Sequence, residues 1–379
     1  MDIHFSAYMV KYAVMNDLFE DIFKTTKINT LNIFINLDNF FQRLKNSRIN
    51  QEFQACGMGA SKQFVSNVFN LIAHYRQWGV RTGAITKVYA YYTTAKSGFE
   101  NRLYLPEYRS YFAHKCNLGC SDLFYINQTI NIAGPYLKLI SEYIDGVYII
   151  DSQYIEPACI PLYIYSNVRQ ADWNIVISHD NYDLQYCVMD RFSYLYPKFK
   201  NKSTDYLEEA CIIDKGTMWN KLASKEGVLV EHADKYPPNL ILLALAIVGD
   251  KHRDIPSIKG IRWRVFFKLM DGIIEKFDGD CSFATLSNAL INKIIEKKVD
   301  PNVLNLNLMA WNIQQAVNNM DESMKSFINM QLVDIPDYAS LEQFNVNPQL
   351  LANYPLNLKF LTEESSAYTK PIWGSYVKK

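Results

Sequence analysis

Four acidic residues, Asp38, Glu156, Asp180 and Asp250, each follow or sit beside an apolar stretch that reads as a strand. Asp38 ends the run Leu-Asn-Ile-Phe-Ile-Asn-Leu-Asp, and Asp180 ends Trp-Asn-Ile-Val-Ile-Ser-His-Asp. Asp250 closes Leu-Leu-Ala-Leu-Ala-Ile-Val-Gly-Asp. Carboxylates at the C-terminal ends of buried parallel strands converge on one edge of a sheet, where open α/β folds bind ligands. Acids gathered there repel one another unless a divalent cation sits among them, and an oxygen-rich site suits Mg²⁺ or Mn²⁺. That layout belongs to a metal-dependent nuclease. Taken singly, an Asp after a strand is more often a helix cap than a metal ligand, and Glu156 alone reads equally well as a surface carboxylate. The set carries the argument.

Alternating strands and helices must position these groups. Residues 1–27 have the spacing of an amphipathic helix, ahead of the strand that ends at Asp38 and a helical stretch to about residue 56. Residues 61–79 have helical spacing, with Ser61 as N-cap and Gly79 as stop. Strands are expected at 87–92, 146–150 and 173–178, with helices over 135–144, after Pro157 and from about Tyr182. This order predicts an α/β fold with a mostly parallel central sheet covered on both faces. From 239 to about 328 the pattern turns helical, and 331–379 has scattered prolines and weak periodicity. Three units are therefore expected: an α/β domain over 1–238, a helical region over 239–330, and an extended C-terminal arm over 331–379.

Composition sets limits on function. With 379 residues, 49% hydrophobic and 21% charged, the chain is long and apolar enough to bury a sizeable core. Its formal net charge is zero, so any grip on nucleic acid must come from local basic patches. Seven cysteines, scattered and odd in number, fit a reducing compartment better than a disulfide framework. Cys159 and Cys187 read as packing residues. His114, Cys116 and Cys120 have a spacing reminiscent of zinc ligands, but no second pair completes the set. Residues 1–16 lack a signal-peptide cleavage pattern, and the longest apolar run, 239–248, is about half a membrane span. A cytoplasmic location and no membrane partner are the expectations.

The most telling stretch is Gly249-Asp250-Lys251-His252-Arg253-Asp254-Ile255-Pro256-Ser257-Ile258-Lys259-Gly260-Ile261-Arg262-Trp263-Arg264. It resembles the helix–three-turn–helix of the 5′ nuclease family, the flap endonucleases and phage 5′–3′ exonucleases with a PIN-like core. That pattern runs Gly-Asp-x-x-Asp-Asn-Ile-Pro-Gly-Val-x-Gly-Ile-Gly-x-Lys. Three further segments agree in order. Leu105-Pro106-Glu107-Tyr108-Arg109 is similar to the family's Pro-x-Tyr-Lys entry to a helical arch, Ile155-Glu156-Pro157-Ala158 to Glu-Ala-Asp-Asp, and 178–185 to Ser-x-Asp-x-Asp-x-x-Gln. The resemblance covers roughly residues 30–275. It departs at several acids: Thr93 or Thr94 stands for one, Ala158 and Cys159 for two, Tyr182 and Arg253 for one each. Ser257 and Arg262 replace two glycines of the turn. Asp183 and Asp254 each lie one position from a lost acid.

The resemblance implies a PIN/FEN-like α/β core followed by a helix–three-turn–helix region, with Mg²⁺ or Mn²⁺ as cofactor and K⁺ as a candidate monovalent ion at the turn. Asp38, Glu156, Asp180 and Asp250 would be catalytic ligands, Asp183 and Asp254 additional ones, and Arg109 would offset phosphate charge. PIN-type ribonucleases manage with about four acids, so the reduced set is compatible with catalysis. Nucleic acid would meet Arg102, Tyr108, Arg109 and Lys115 in the arch-like segment, with tyrosines offering stacking platforms. It would meet Lys251, Arg253, Lys259, Gly260, Arg262 and Arg264 at the turn. Arg109 reads alternatively as a stacking partner for a neighbouring ring, and His179 as a structural neighbour of Asp180. Two functions follow. One is a 5′–3′ exonuclease or flap endonuclease of phage or similar origin, acting on DNA or RNA with a 5′ end or flap. The other is an inactive nuclease-fold protein that binds nucleic acid or serves as a subunit of a larger viral assembly, meeting a protein partner through 331–379.

Overall fold

The structure, a computed structural model, describes residues 28–37, 83–92, 145–152, 155–178, 180, 182–198, 209–213, 218–224, 235–250, 255–277, 282–296 and 300–332, with single helical residues within 68–79 and 134–141. Six strands form one sheet: β1 (Thr30–Asn36), β2 (Ile85–Tyr92), β3 (Val147–Asp151), β4 (Trp173–Ile177), β5 (Phe192–Lys198) and β6 (Glu209–Ile213). Their spatial order is β3-β2-β1-β4-β5-β6. The first five run parallel, and β6 lies antiparallel on β5. The chain winds outward from β1 to one side through β2 and β3, then crosses back to β4 on the other. The switch point between β1 and β4 opens a crevice beyond their C-terminal ends, where doubly wound sheets bind ligands.

Burial on both faces explains the near-continuous apolar runs of β1 and β4. One face carries Leu31, Ile33, Ile35 and Leu37 of β1 with Val88, Ala90, Ile175 and Ile177, packed on Val68, Leu71, Ile72, Tyr75, Leu137 and Ile140. The opposite face carries a ladder of rings. Phe34 stacks on Tyr89 with centroids 5.0 Å apart, and Tyr89 on Tyr148 at 4.9 Å, matching the register of three adjacent strands. On that second face Asn32 is buried and donates to Arg169 O and Asn174 Oδ1, each at 3.1 Å. The pair ties β1 to β4 with its polar groups satisfied.

Helices build out the second face. A 3₁₀ turn (Pro157–Cys159), α1 (Ile160–Tyr163) and a π turn (Ile164–Val168) follow β3, and a 3₁₀ segment (Tyr182–Val188) joins β4 to β5. Beyond β6 come α2 (Met218–Ser224), α3 (Ile241–Val248), a 3₁₀ turn (Ile258–Gly260), α4 (Trp263–Ile274) and α5 (Phe283–Glu296). The series ends with α6 (Pro301–Trp311), α7 (Ile313–Asn318) and α8 (Glu322–Asn329). The last three begin at side-chain caps, with Asp300, Asn312 and Asp321 accepting from Asn302, Gln315 and Met324 backbone N–H groups. One continuous core runs from Phe34 of the sheet through Trp219, Leu245 and Trp311 to Ile328.

The run before Asp250, read both as a strand ending at the acid and as the opening of the helical region from 239, is helical. Leu and Ala, which lose little on entering a helix, dominate Ile241–Val248, and the segment is α3. Asp250 therefore follows a helix. No helix among the described residues is long and apolar enough to cross a membrane. The expected helix over 1–27 and the arm beyond residue 332 fall outside the described residues.

Candidate functional site

The C-terminal edge of the sheet gathers polar groups on its second face. β1 closes with Asn36, which is buried, and its amide nitrogen donates to Asp183 Oδ2 at 3.3 Å. Asp183 lies in the first turn of the 182–188 segment and is 0% exposed. The link spans the switch point, because β1 supplies the amide and the connection leaving β4 supplies the acid. Asp38 follows Leu37 directly in the chain but falls outside the described residues. β1's pairing continues to Leu37, whose N–H donates to Tyr91 O at 2.8 Å.

Beyond β4 the chain makes two local turns. Asp180 N–H donates to Ser178 Oγ, and Asp180 Oδ1 accepts from Tyr182 N–H, each at 3.0 Å. One carboxylate oxygen of Asp180 thus serves the turn that starts the 3₁₀ segment, in the way Asp commonly does. The Tyr194 hydroxyl of β5 reaches the carbonyls of Ser178 (2.7 Å) and Asp180 (3.2 Å), and Lys221 Nζ of α2 donates to it at 3.3 Å. Lys221 also lies over the Tyr196 ring, 3.4 Å from its centroid.

Glu156 sits on the third approach to this edge. Ser152, just past β3, donates through N and Oγ to Tyr92 O at the end of β2, at 2.7 and 3.0 Å. The loop then delivers Glu156, 3% exposed, to the start of the 157–159 turn, and its side chain takes no part in capping that turn. Tyr186 fastens this loop to the segment bearing Asp183. Its hydroxyl donates to Ala158 O at 2.6 Å and accepts from Leu162 N–H at 3.1 Å. Burial pushes the phenols of Tyr186 and Tyr194 well above their ordinary range, and the nearby Asp183 charge adds to the effect in both. Both hydroxyls therefore stay protonated and serve as hydrogen-bond donors.

Asp250 is carried by a helix and not by a strand. It follows Gly249 at the end of α3 and pairs with Ile255 through two backbone bonds, Asp250 N to Ile255 O (2.9 Å) and Ile255 N to Asp250 O (3.0 Å). Gly249 has φ +70°, and a Cβ there would lie 2.5 Å from Ile255 O, so the turn requires glycine. Gly260 also has positive φ, and the space beside it is open. It is exposed, as are Arg262 and Arg264 at the start of α4. The backbone of Lys259 lies in the 258–260 turn. Lys251, Arg253, Asp254, Arg102, Tyr108, Arg109 and Lys115 fall outside the described residues.

Sequence reasoning missed Asn36, Tyr194 and Tyr186. The signal for Asn36 was present: Asn32 and Asn36 are polar interruptions at even spacing in a run otherwise buried, so both point to one face of the strand. The oxygen donors of this edge, carboxylates and an amide, suit hard divalent cations over soft ones. Among the described residues no three His, Cys, Asp or Glu side chains form a ligand group.

No protein-family model matches the chain, and no curated protein matches it. Solved structures do. The chain is similar in fold to phage 5′ nucleases. The bacteriophage T5 flap endonuclease in a complex with DNA and metal ions aligns at a TM-score of 0.49 and 14% identity, over 80% of this chain and 98% of that one. T5 5′-exonuclease with bound zinc aligns at 0.46 and 12%, over 80% and 98%. A T5 protein co-crystallised with metal ions aligns at 0.44 and 15%, over 79% and 98%.

Proposed function

We propose that the chain is a metal-dependent 5′ nuclease-like phosphodiesterase of phage origin, acting on DNA or RNA as a 5′–3′ exonuclease or flap endonuclease. The observation that carries this reading is a pair of buried carboxyls on connections leaving the C-terminal edge: Asp183, which Asn36 of β1 holds beside the β1–β4 switch point, and Glu156 past β3, on a loop that Tyr186 ties to the segment bearing Asp183. Asp183, Glu156 and the strand-end Asp38 are the residues that would hold Mg²⁺ or Mn²⁺, with the second oxygen of Asp180, Asp250 and Asp254 as further donors. A divalent ion bound there supplies an activated water and charge neutralisation for the scissile phosphate. Asn36 orients Asp183 through its amide, and Asp180 shapes the turn that presents it. Tyr186 and Tyr194 close the floor with donors that remain protonated.

Substrate grip falls to two basic clusters in this reading. Arg102, Tyr108, Arg109 and Lys115 meet a single strand, Arg109 offsetting charge on the scissile phosphate. Lys251, Arg253, Lys259, Gly260, Arg262 and Arg264 meet duplex phosphates at the turn, where K⁺ is a candidate companion ion. The chain divides by role into a catalytic unit over 1–238, a duplex-binding region over 239–330 and a partner-binding arm over 331–379, acting in the host cytoplasm. The test is cleavage of a 5′-labelled flap, single-stranded DNA and single-stranded RNA with Mn²⁺. Controls are EDTA and the Asp38→Ala/Asp180→Ala double variant. Cutting that needs metal and is lost in the double variant supports the reading. Binding without cutting, indifferent to metal, supports instead a nuclease fold kept as a nucleic-acid-binding subunit.

A further inference from the structure

Asn307 of α6 is fully buried, and its amide nitrogen donates to two carbonyls on different elements. One is Ala246 O in the last turn of α3, at 2.7 Å; the other is Pro256 O, at 2.8 Å, just past the Asp250–Ile255 bridge. Carbonyls in a helix's last turn lack intrahelical partners and need one from elsewhere. Pro256 O belongs to the limb that returns from the turn toward Gly260. A single buried side chain thus fastens the helix end that starts the turn to its return limb.

This is a costly way to fill a core position. An apolar side chain would avoid the desolvation of a buried amide, so Asn is favoured only if both hydrogen bonds are made. Both are made, one to the helix that enters the turn and one to its return limb. Gly249 completes the fit, since its bare Cα lets Ile255 O and Pro256 C approach to distances a Cβ could not share. The far side of the turn is the exposed one, with Gly260, Arg262 and Arg264 facing solvent.

We propose that Asn307 is a positioning residue for the phosphate-gripping turn: it sets the backbone of Gly249, Asp250 and Ile255–Gly260 for the phosphates of a nucleic-acid duplex without touching them. The inference rests on the function proposed above. It predicts that losing Asn307 weakens duplex binding and leaves the chemistry of bound substrate unchanged.

The experiment measures fluorescence anisotropy of a labelled DNA duplex in EDTA, across a salt series. The chains are the wild type, Asn307→Ala, Arg262→Ala, their double variant, and Tyr163→Phe. Tyr163 makes a buried-side hydrogen bond to Asn329 Oδ1 on a different helix pair, so its variant reports the effect of general loosening. Gly249→Ala supplies a second route to a distorted turn if Asn307→Ala folds poorly. The expected result is a Kd raised about five- to tenfold by Asn307→Ala, with a shallower salt slope and little change for Tyr163→Phe. The double variant with Arg262→Ala should lose less than the sum of the single losses, because both act through one turn. In cleavage assays KM should rise while kcat holds. A wild type that binds duplex alongside an Asn307→Ala chain of equal affinity and slope overturns this inference alone. A wild type that does not bind duplex overturns the proposed function, and this inference with it.

Discussion

At the scale of single residues, Asp183 is the acid that Asn36 holds beside the switch point. The resemblance to the 5′ nucleases placed a tyrosine at the expected acid position and left Asp183 one residue along. In the structure Tyr182 points its hydroxyl to Ala310 O at 3.1 Å, while Asp183 is the residue held by Asn36. A one-residue offset in a 3₁₀ segment rotates a side chain by about a third of a turn, which spacing alone does not resolve. Asp180 was legible both as ligand and as cap, and its Oδ1 does the second of these jobs. Asn36 is predicted to matter beyond its hydrogen bond. Removing a group that orients a metal-binding carboxylate typically costs roughly ten- to hundredfold in metal affinity or activity. Asn36→Ala should therefore raise the Mn²⁺ concentration needed for half-maximal cleavage by about that factor. An unchanged metal dependence would remove Asn36 from the site.

At the scale of elements, the parallel strands were readable because burial on both faces leaves long apolar runs, as in β1, β2 and β4. β5 and β6 were not. Phe192–Lys198 contains Ser, Lys and a proline; β4 pairs only with Phe192–Leu195, so Pro197 has a strand partner on the β6 side alone, where proline is tolerated. Ile241–Val248 was read both as strand and as the first part of a helical region, since a short, wholly apolar run has no periodicity to separate the two; it is a helix. The start of β1 depends on an acid that no motif marked. Asp172 Oδ2 accepts from Asn29 N–H at 2.8 Å and Thr30 N–H at 3.0 Å, and these backbone donors hold its carboxyl below the ordinary carboxylate range. A depressed folded-state pKa contributes stability that is full above the ordinary carboxylate value and is lost as pH falls through the folded value. Asp172→Asn should accordingly flatten the acid limb of the stability–pH curve and leave its shape near neutrality unchanged. Urea titrations between those pH values check this, and an identical acid limb would count against it.

At the scale of the whole molecule, zero net charge was plain from composition, and it leaves any grip on nucleic acid to local basic patches. The sharing of one core between sheet and helices was not plain, because it depends on contacts distant in sequence. Gln185 Nε2 donates to Trp311 O, and Gln331 donates to and accepts from the backbone of Asp151, across 126 and 180 residues respectively. Such ties predict that the sheet and the helices after residue 239 unfold together. Calorimetry should show one transition for the two; separate transitions would show that they are energetically independent. The proposed role of the buried carboxyls Asp183 and Glu156 is to support metal-dependent hydrolysis. Its most direct test is the single-turnover rate of flap cleavage against Mn²⁺ concentration, in the wild type and in Asp183→Asn. The account predicts saturable metal dependence in the wild type and loss of cleavage, at every metal concentration, in the variant. Equal rates in the two chains, or cleavage that persists in EDTA, would contradict it.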